Sequence, residues 1–215
     1  MVEPLGINGA EVYLGLDLAT GSRVALKVWS GVHNSEYHKH EAASARLRHP
    51  NIVEVLEVGE TPRGPFSVFE WLPPPTATLA SRIKAKELSG LDVVKVLVAV
   101  VRAVQYARTQ GMYLVQVHPS DIVFSEANVP KLLPVFAEDT APTTERDDLH
   151  QLGSLIAFAT HGRSTVKPWR TLRTIGVECA GAPSSQVESM EALASMLSDL
   201  VGESDLEPGS GPTKG

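Results

Sequence analysis

Cysteine is almost absent from this chain: Cys179 is the only one in 215 residues. A lone thiol closes no intrachain disulfide and builds no thiolate metal cluster. Such usage suits a reducing cytoplasm, which is the expected location. A basic surplus is missing as well. The formal net charge of -6 leaves nothing to neutralise phosphates, which excludes a general nucleic-acid binder or a protein drawn to anionic membranes. Nor is there a long hydrophobic run. The most apolar stretch, Val93 to Val104, is about a dozen residues against the roughly 20 that cross a bilayer, and Lys95 and Arg102 interrupt it. It reads as a buried helix, and no membrane insertion is expected. The first residues, MVEPLGINGAE, carry neither the basic nor the apolar region of a secretory signal. No internal repeat is visible. From Gly202 onward, GESDLEPGSGPTKG has no apolar periodicity and reads as a disordered tail or linker over 202–215.

What remains is an ordinary globular composition, long enough for one large domain or two small lobes. EVYLGLD and RVALKVW are joined by the turn signal ATGS, which predicts an antiparallel hairpin. Alternation along the second strand places Ala25, Lys27 and Trp29 on one face, so Lys27 stands mid-strand between small and aromatic neighbours. Asn34 to Arg48 is Ala-rich and predicts a helix capped by Asn34 or Ser35. NIVEVLEVGE and PFSVFEW then predict two further strands. Five strands and one helix make a β-rich lobe over 1–73, and the proline-rich WLPPPT leads into a helical lobe over 74–201.

In the second half, Ser89 with Asp92 predicts a capping box opening the valine-rich helix, and Gly111 ends it. DIVF and VPKLLPV flank a SEAN turn and predict a hairpin. ERDDLHQLGSLIAFAT, with acids first and apolar residues after, predicts a buried helix. The last helix carries Leu193, Met196, Leu197 and Leu200 as its stripe, with Ser185 and Glu188 as its capping box and Gly202 as its stop.

The order of these elements resembles the bacterial Ser/Thr protein kinases. EVYLGLDLATGSRVALKVW is similar to their glycine-rich loop and lysine-bearing strand. RLRHPNIVEVLEVGE, FSVFEWL and TLASRI follow in that family's order, and DLHQLGSLIAFATHGR matches its long buried helix. The resemblance covers roughly residues 5 to 200. It implies an α+β, two-lobed protein-kinase-like fold, with a small antiparallel β lobe holding one helix, a mainly helical large lobe and a shortened activation segment.

Carried over position by position, the resemblance puts Lys27 at the phosphate-pairing lysine, with Glu41 as its helix partner. Glu41 lies one residue off the usual spacing to His49, and His40 occupies that register. Glu70 and Leu72 fall at the hinge, so Lys27, Glu41, Glu70 and Leu72 are the candidate nucleotide-binding residues, with Glu70 as a second partner for Lys27. The glycine loop is reduced to Gly6 and Gly9, with Ala10 behind them, a poor cradle for phosphates. Leu114, Val115 and Gln116 stand where the family has His-Arg-Asp, and Val117 to Asp121 continue the catalytic loop. Gln116 carries no carboxylate to accept a substrate proton. His118 replaces a lysine, and Asp121 keeps the position of a metal ligand. Pro134, Val135 and Phe136 replace Asp-Phe-Gly, which removes the other metal-binding carboxylate. Asp148 takes the place of the aspartate that supports the catalytic-loop backbone.

These losses imply a pseudokinase that is not an enzyme, binds no metal and regulates or scaffolds Ser/Thr kinase signalling by holding protein partners. The expected partners are an active Ser/Thr kinase or a phosphothreonine-reading domain. Thr140, Thr143 and Thr144 in the shortened segment are candidate phosphoacceptors. Thr144 with Asp147 reads first as a helix cap, and T-x-x-D also resembles the motif that forkhead-associated domains prefer. Two other readings stay open: a sensor that takes ATP without metal, and an atypical nucleotide-dependent transferase using Lys27, His118 and Asp121. Phe69, Trp71 and Phe136 are the bulky side chains that could fill the place of an adenine. A metal reading of His33, His38 and His40 is weak, because i and i+2 do not share a helix face.

Overall fold

The computed structural model describes residues 5–7, 10–29, 35–62, 64–72, 77–138, 144–181 and 187–205. Its first part is a five-stranded antiparallel sheet in the order β1-β2-β3-β5-β4, built from β1 (Leu5–Ile7), β2 (Ala10–Leu16), β3 (Arg23–Trp29), β4 (Val55–Thr61) and β5 (Gly64–Glu70). The hairpin over ATGS closes as expected: the Asp17 amide donates to the Ser22 carbonyl and the Gly21 amide to the Asp17 carbonyl. Ile7 pairs with Ala10, so Gly6 and Ala10 are strand residues. Gly9, the other glycine of the expected loop, lies outside the described residues.

Helix α1 (Ser35–Ser44) packs on β4 and β5. It is four residues shorter at its C-terminus than the sequence predicts. The Leu47 amide donates to the Ser44 carbonyl, a tight turn that drives Leu47 into the core at 1% exposure and ends the helix. Of its predicted caps, Asn34 lies outside the described residues.

The rest is mainly helical: α2 (Leu79–Lys84), α3 (Gly90–Thr109), α4 (Glu145–Thr160), α5 (Trp169–Cys179) and α6 (Met190–Asp205). Short strands β6 (Met112–Leu114) and β9 (Phe136–Glu138) pair with each other, as do β7 (Ile122–Phe124) and β8 (Pro130–Leu132). The latter is the hairpin expected from DIVF and VPKLLPV. The Ser89–Asp92 capping box forms in full at the start of α3, and Gly111 turns the chain away at φ 68°, a left-handed conformation that glycine adopts without strain. The architecture is therefore α+β.

Helix α5 had no sequence prediction. Leu172, Ile175, Gly176 and Cys179 form its buried stripe, and it packs tightly on α4. A Cβ on Gly153 would come within 2.8 Å of the Cys179 Cβ and 2.9 Å of the Gly176 carbonyl, so glycine sets how closely α4 and α5 approach. The start and end of α6 differ from expectation. Ser189 caps it by accepting the Ala192 amide at 3.1 Å, and the expected Ser185 lies outside the described residues. The helix runs through Gly202 to Asp205, since one glycine near a helix end costs only about 1 kcal/mol. The predicted tail beyond Asp205 is also outside the described residues.

The main core gathers α2 to α6 and the short strands, and it also takes in Leu47 and Ile52 from the sheet half. A smaller cluster of Val53, Val55, Phe69 and Val123, with Ala25, Leu72 and Leu133 against it, lies where the sheet meets the β7–β8 hairpin. Among the described residues, no helix is long and apolar enough to cross a membrane.

Candidate functional site

The face of β3 that carries Lys27 and Trp29 looks toward α1. Lys27 Nζ stands 2.8 Å from Glu41 Oε1 and 3.9 Å from the centroid of the Trp29 ring. The other oxygen of Glu41 accepts from Trp29 Nε1 at 3.0 Å and from Ser67 Oγ at 2.6 Å. Glu41 is 4% exposed. Its carboxylate is thus neutralised by one cation and satisfied by two further donors, which is what a buried charge requires. The register offset that placed His40 opposite Lys27 is absorbed where α1 gives way to the turn at 45–49.

Glu70 is not a second partner for Lys27. Its Oε1 accepts from Lys131 Nζ at 2.7 Å and from the Glu54 amide at 2.9 Å, which ties the end of β5 to β8. Leu72 and Phe69 pack with the smaller cluster beside Ala25 and Val123. Phe136 does not fill that space: it is fully buried in the main core and pairs with Leu114. Trp71 is half-buried, with no partner on its buried Nε1 among the described residues.

The segment from Leu114 to Asp121 runs between β6 and a 3-10 turn over Pro119–Asp121. Leu114 is buried, whereas Val115, Gln116 and His118 are exposed. Asp121 Oδ2 accepts the His118 amide at 2.7 Å, and the Asp121 amide donates to the His118 carbonyl at 2.8 Å. Burial pushes the Asp121 carboxyl above its ordinary range, against the lowering effect of the His118 amide. The His118 ring lies 6.3 Å from the Phe158 ring on α4, and its Nδ1 is 3.1 Å from Ser120 Oγ.

The loop is held from α4 by Gln151. Its Oε1 accepts the Val117 amide at 3.0 Å, and its Nε2 donates to the Val115 carbonyl at 3.3 Å. The resemblance implies Asp148 for this role. In the structure Asp148 Oδ2 pairs with Arg108 Nη1 at 2.6 Å, linking α4 to α3, while its Oδ1 has no partner among the described residues. Burial raises the Asp148 carboxyl, and the Arg108 hydrogen bond opposes it. Gln151 escaped notice because the amide side chain and its carbonyl and amide partners lie more than thirty positions apart.

On the far side, the Val115 amide donates to the Val135 carbonyl at 3.0 Å, so the Pro134–Phe136 segment and the Leu114–Gln116 segment run together as backbone. Pro134 brings no donor to this junction. Asp121 is then the one carboxylate there, and no group of three or more His, Cys, Asp or Glu suited to a metal ion occurs among the described residues. The donor set does not fit a two-carboxylate magnesium site. Thr144 caps α4, donating from Oγ1 to Asp147 Oδ2 at 2.8 Å and accepting the Asp147 amide. Thr140, Thr143 and His33 lie outside the described residues. His38 is turned to the Phe66 carbonyl at 3.2 Å.

No family model matches the chain. It is similar to a protein of Bifidobacterium longum named as a probable serine/threonine-protein kinase, at 28% identity over 140 residues, which is 58% of this chain and 20% of that protein. A serine/threonine-protein kinase of Myxococcus xanthus is 32% identical over 60% of this chain and 19% of its own length. A protein of Oryza sativa subsp. japonica, provisionally named as a CBL-interacting protein kinase, is 27% identical over 66% and 29% respectively. The chain thus spans under a third of the length of these curated relatives. Their names overturn the expectation that this chain is not an enzyme: that expectation rested on motif positions, and the matched proteins are named as kinases. What the similarity establishes is a relationship to Ser/Thr protein kinases over about 60% of the chain.

Proposed function

We propose that this chain is a two-lobed, protein-kinase-like regulatory module of Ser/Thr kinase signalling, whose cleft takes a nucleotide and whose surface holds protein partners. The observation that carries the reading is the ion pair of Lys27 with Glu41. A half-buried ammonium held by a carboxylate and an indole face is a cation suited to phosphate oxygens. The apolar surface for a base is supplied by Ala25, Leu72 and Val123, with Phe69 behind them. Nucleotide in such a cleft would join sheet half to helical half and bias the disposition of the whole module. The phosphothreonine-reading partner enters through Thr144, which is exposed at the start of α4.

A second reading, an atypical nucleotide-dependent transferase, is favoured by the kinase names of the relatives. The side chains at hand for it are Lys27, His118 and Asp121. A thermal-shift titration with ATP, run with and without Mg²⁺, separates the two. The regulatory reading expects a rise in Tm that does not depend on metal and is lost in Lys27→Met. A shift that requires metal, joined by transfer of labelled phosphate, would favour the transferase. No shift under either condition would sink the nucleotide-binding reading.

A further inference from the structure

Helices α3 and α6 leave a groove of about 360 Å³ between them. Its walls are Lys95, Val98, Ala99 and Arg102 from α3 and Ser198 and Val201 from α6, and Asn51 closes one end. The spacing explains the arrangement. Positions 95, 98, 99 and 102 follow the i, i+3, i+4, i+7 pattern and so share one face of α3. The opposite face, with Val93, Val96, Leu97, Val100, Val101 and Val104, is buried.

The floor is apolar and half-buried, and the two cations stand exposed at its rim. Among the described residues no carboxylate lines the groove, although the chain as a whole carries a net charge of -6. Two acids close in sequence stand outside the lining: Asp92 closes the capping box with Ser89, and Asp199 is exposed on α6. A concave, apolar-floored, cation-rimmed site on an acidic protein selects for a partner of opposite pattern.

We propose that this groove docks an acidic peptide segment of a partner protein: an apolar side chain seated on Val98, Ala99 and Val201, with carboxylates to either side that reach Lys95 and Arg102. Seven helical residues separate the two cations by about 10.5 Å along the α3 axis. An extended peptide turns every second side chain to the same face and covers about 13 Å in four residues, a span that the long Lys95 and Arg102 side chains can meet, so the matching ligand has carboxylates at i and i+4 around an apolar anchor at i+2. Ser198 and Asn51 offer polar atoms to its backbone. The site shares no residue with the nucleotide cleft and stands or falls separately from it.

The test uses the whole chain and a panel of fluorescein-labelled eight-residue peptides with one central leucine and two glutamates, the glutamate spacing varied from one to five residues. Fluorescence anisotropy should show saturable binding with an optimum near a spacing of four. Replacing the glutamates by glutamine, or making Lys95→Glu with Arg102→Glu, should raise Kd at least fivefold. Val201→Asp should abolish binding, and both cation variants, being exposed, should keep the wild-type Tm. Absence of saturable binding across the panel, a flat dependence on spacing, or binding unchanged by the charge reversals would each overturn the proposal. So would a concentration-dependent dimer that Arg102→Glu dissolves, since that would make a second copy of the chain the occupant.

Discussion

At the scale of single residues, the most consequential carboxylate is Glu41. One oxygen meets Lys27, and the other holds Trp29 Nε1 and Ser67 Oγ. Glu41→Ala strands an ammonium, an indole N–H and a hydroxyl in a buried place at once. Breaking a buried pair from one side typically costs about 3–5 kcal/mol. Because Lys27 keeps some contact with solvent, about 2–3 kcal/mol is expected here, read from urea denaturation. Lys27→Met should cost less, since Glu41 keeps its other two donors. Equal losses in the two variants would mean that the pair, not the wider network, holds the site. A second residue-scale expectation concerns Asp148. Its folded carboxyl is raised above the ordinary range by burial, so the folded state binds the proton more firmly than the unfolded one. Its contribution to stability is then greatest below about pH 4 and declines as pH rises through the raised value. Asp148→Asn removes that decline. The stability of the variant relative to wild type should improve as pH rises above about 4 and level off once pH passes the raised value, as measured by denaturant midpoints. A flat or falling difference would contradict the assignment.

At the scale of elements, the features that were legible in the sequence are those whose physics is local. The capping boxes of α3 and α4 each need two side chains three positions apart, and both formed as read. The hairpins closed over their turn signals for the same reason. Helix α5 is not legible in the sequence although its buried stripe has helical spacing, because Arg170, Thr171, Arg173 and Thr174 interrupt the apolar pattern. What could not be read is what spans the chain. The grip of Gln151 on the Val115–Val117 backbone and the tie of Glu70 to Lys131 depend on how separate elements meet. The Lys27–Glu41 pair that the resemblance implies does form, although Glu41 lies one residue off the usual spacing to His49. The α4 cap carries its own prediction. Phosphate on Thr144 would end the hydroxyl's donation to Asp147 and set a second negative charge beside that carboxylate, while still facing the positive end of the helix. Incubation with an active Ser/Thr kinase should place phosphate on Thr144, and the product should bind a forkhead-associated domain where Thr144→Ala does not. An unmodified Thr144 would remove this partner from the proposal.

At the scale of the molecule, the boundary near residue 73 separates sheet from helices but does not separate two cores. Leu47 and Ile52 come from the sheet half and are buried in the helical core. Leu132 is fully buried, its amide donates to the Asn51 carbonyl, and its carbonyl accepts the Val53 amide. Lys131, the next residue back, pairs with Glu70 across the same junction, and the Arg48 amide donates to the Tyr106 hydroxyl on α3. Independent lobes would meet through a modest, polar interface and unfold separately. Here, opening the junction would expose Leu47, Ile52 and Leu132 together, so neither half can lose its structure without stripping apolar cover from the other. The two halves should therefore unfold in one cooperative transition. Tryptophan reports on both sides: Trp29 is buried in the sheet half, and Trp169 packs against the helical core. Urea curves followed by fluorescence in Trp29→Phe and Trp169→Phe variants, each normalised to its own stability, should superimpose with far-ultraviolet circular dichroism. Leu132→Ala should lower the single midpoint by the equivalent of about 2–5 kcal/mol without splitting the curve. Two resolved transitions in the wild type would show instead that the junction is a contact between separately stable lobes, and that the shared core is too small to couple them.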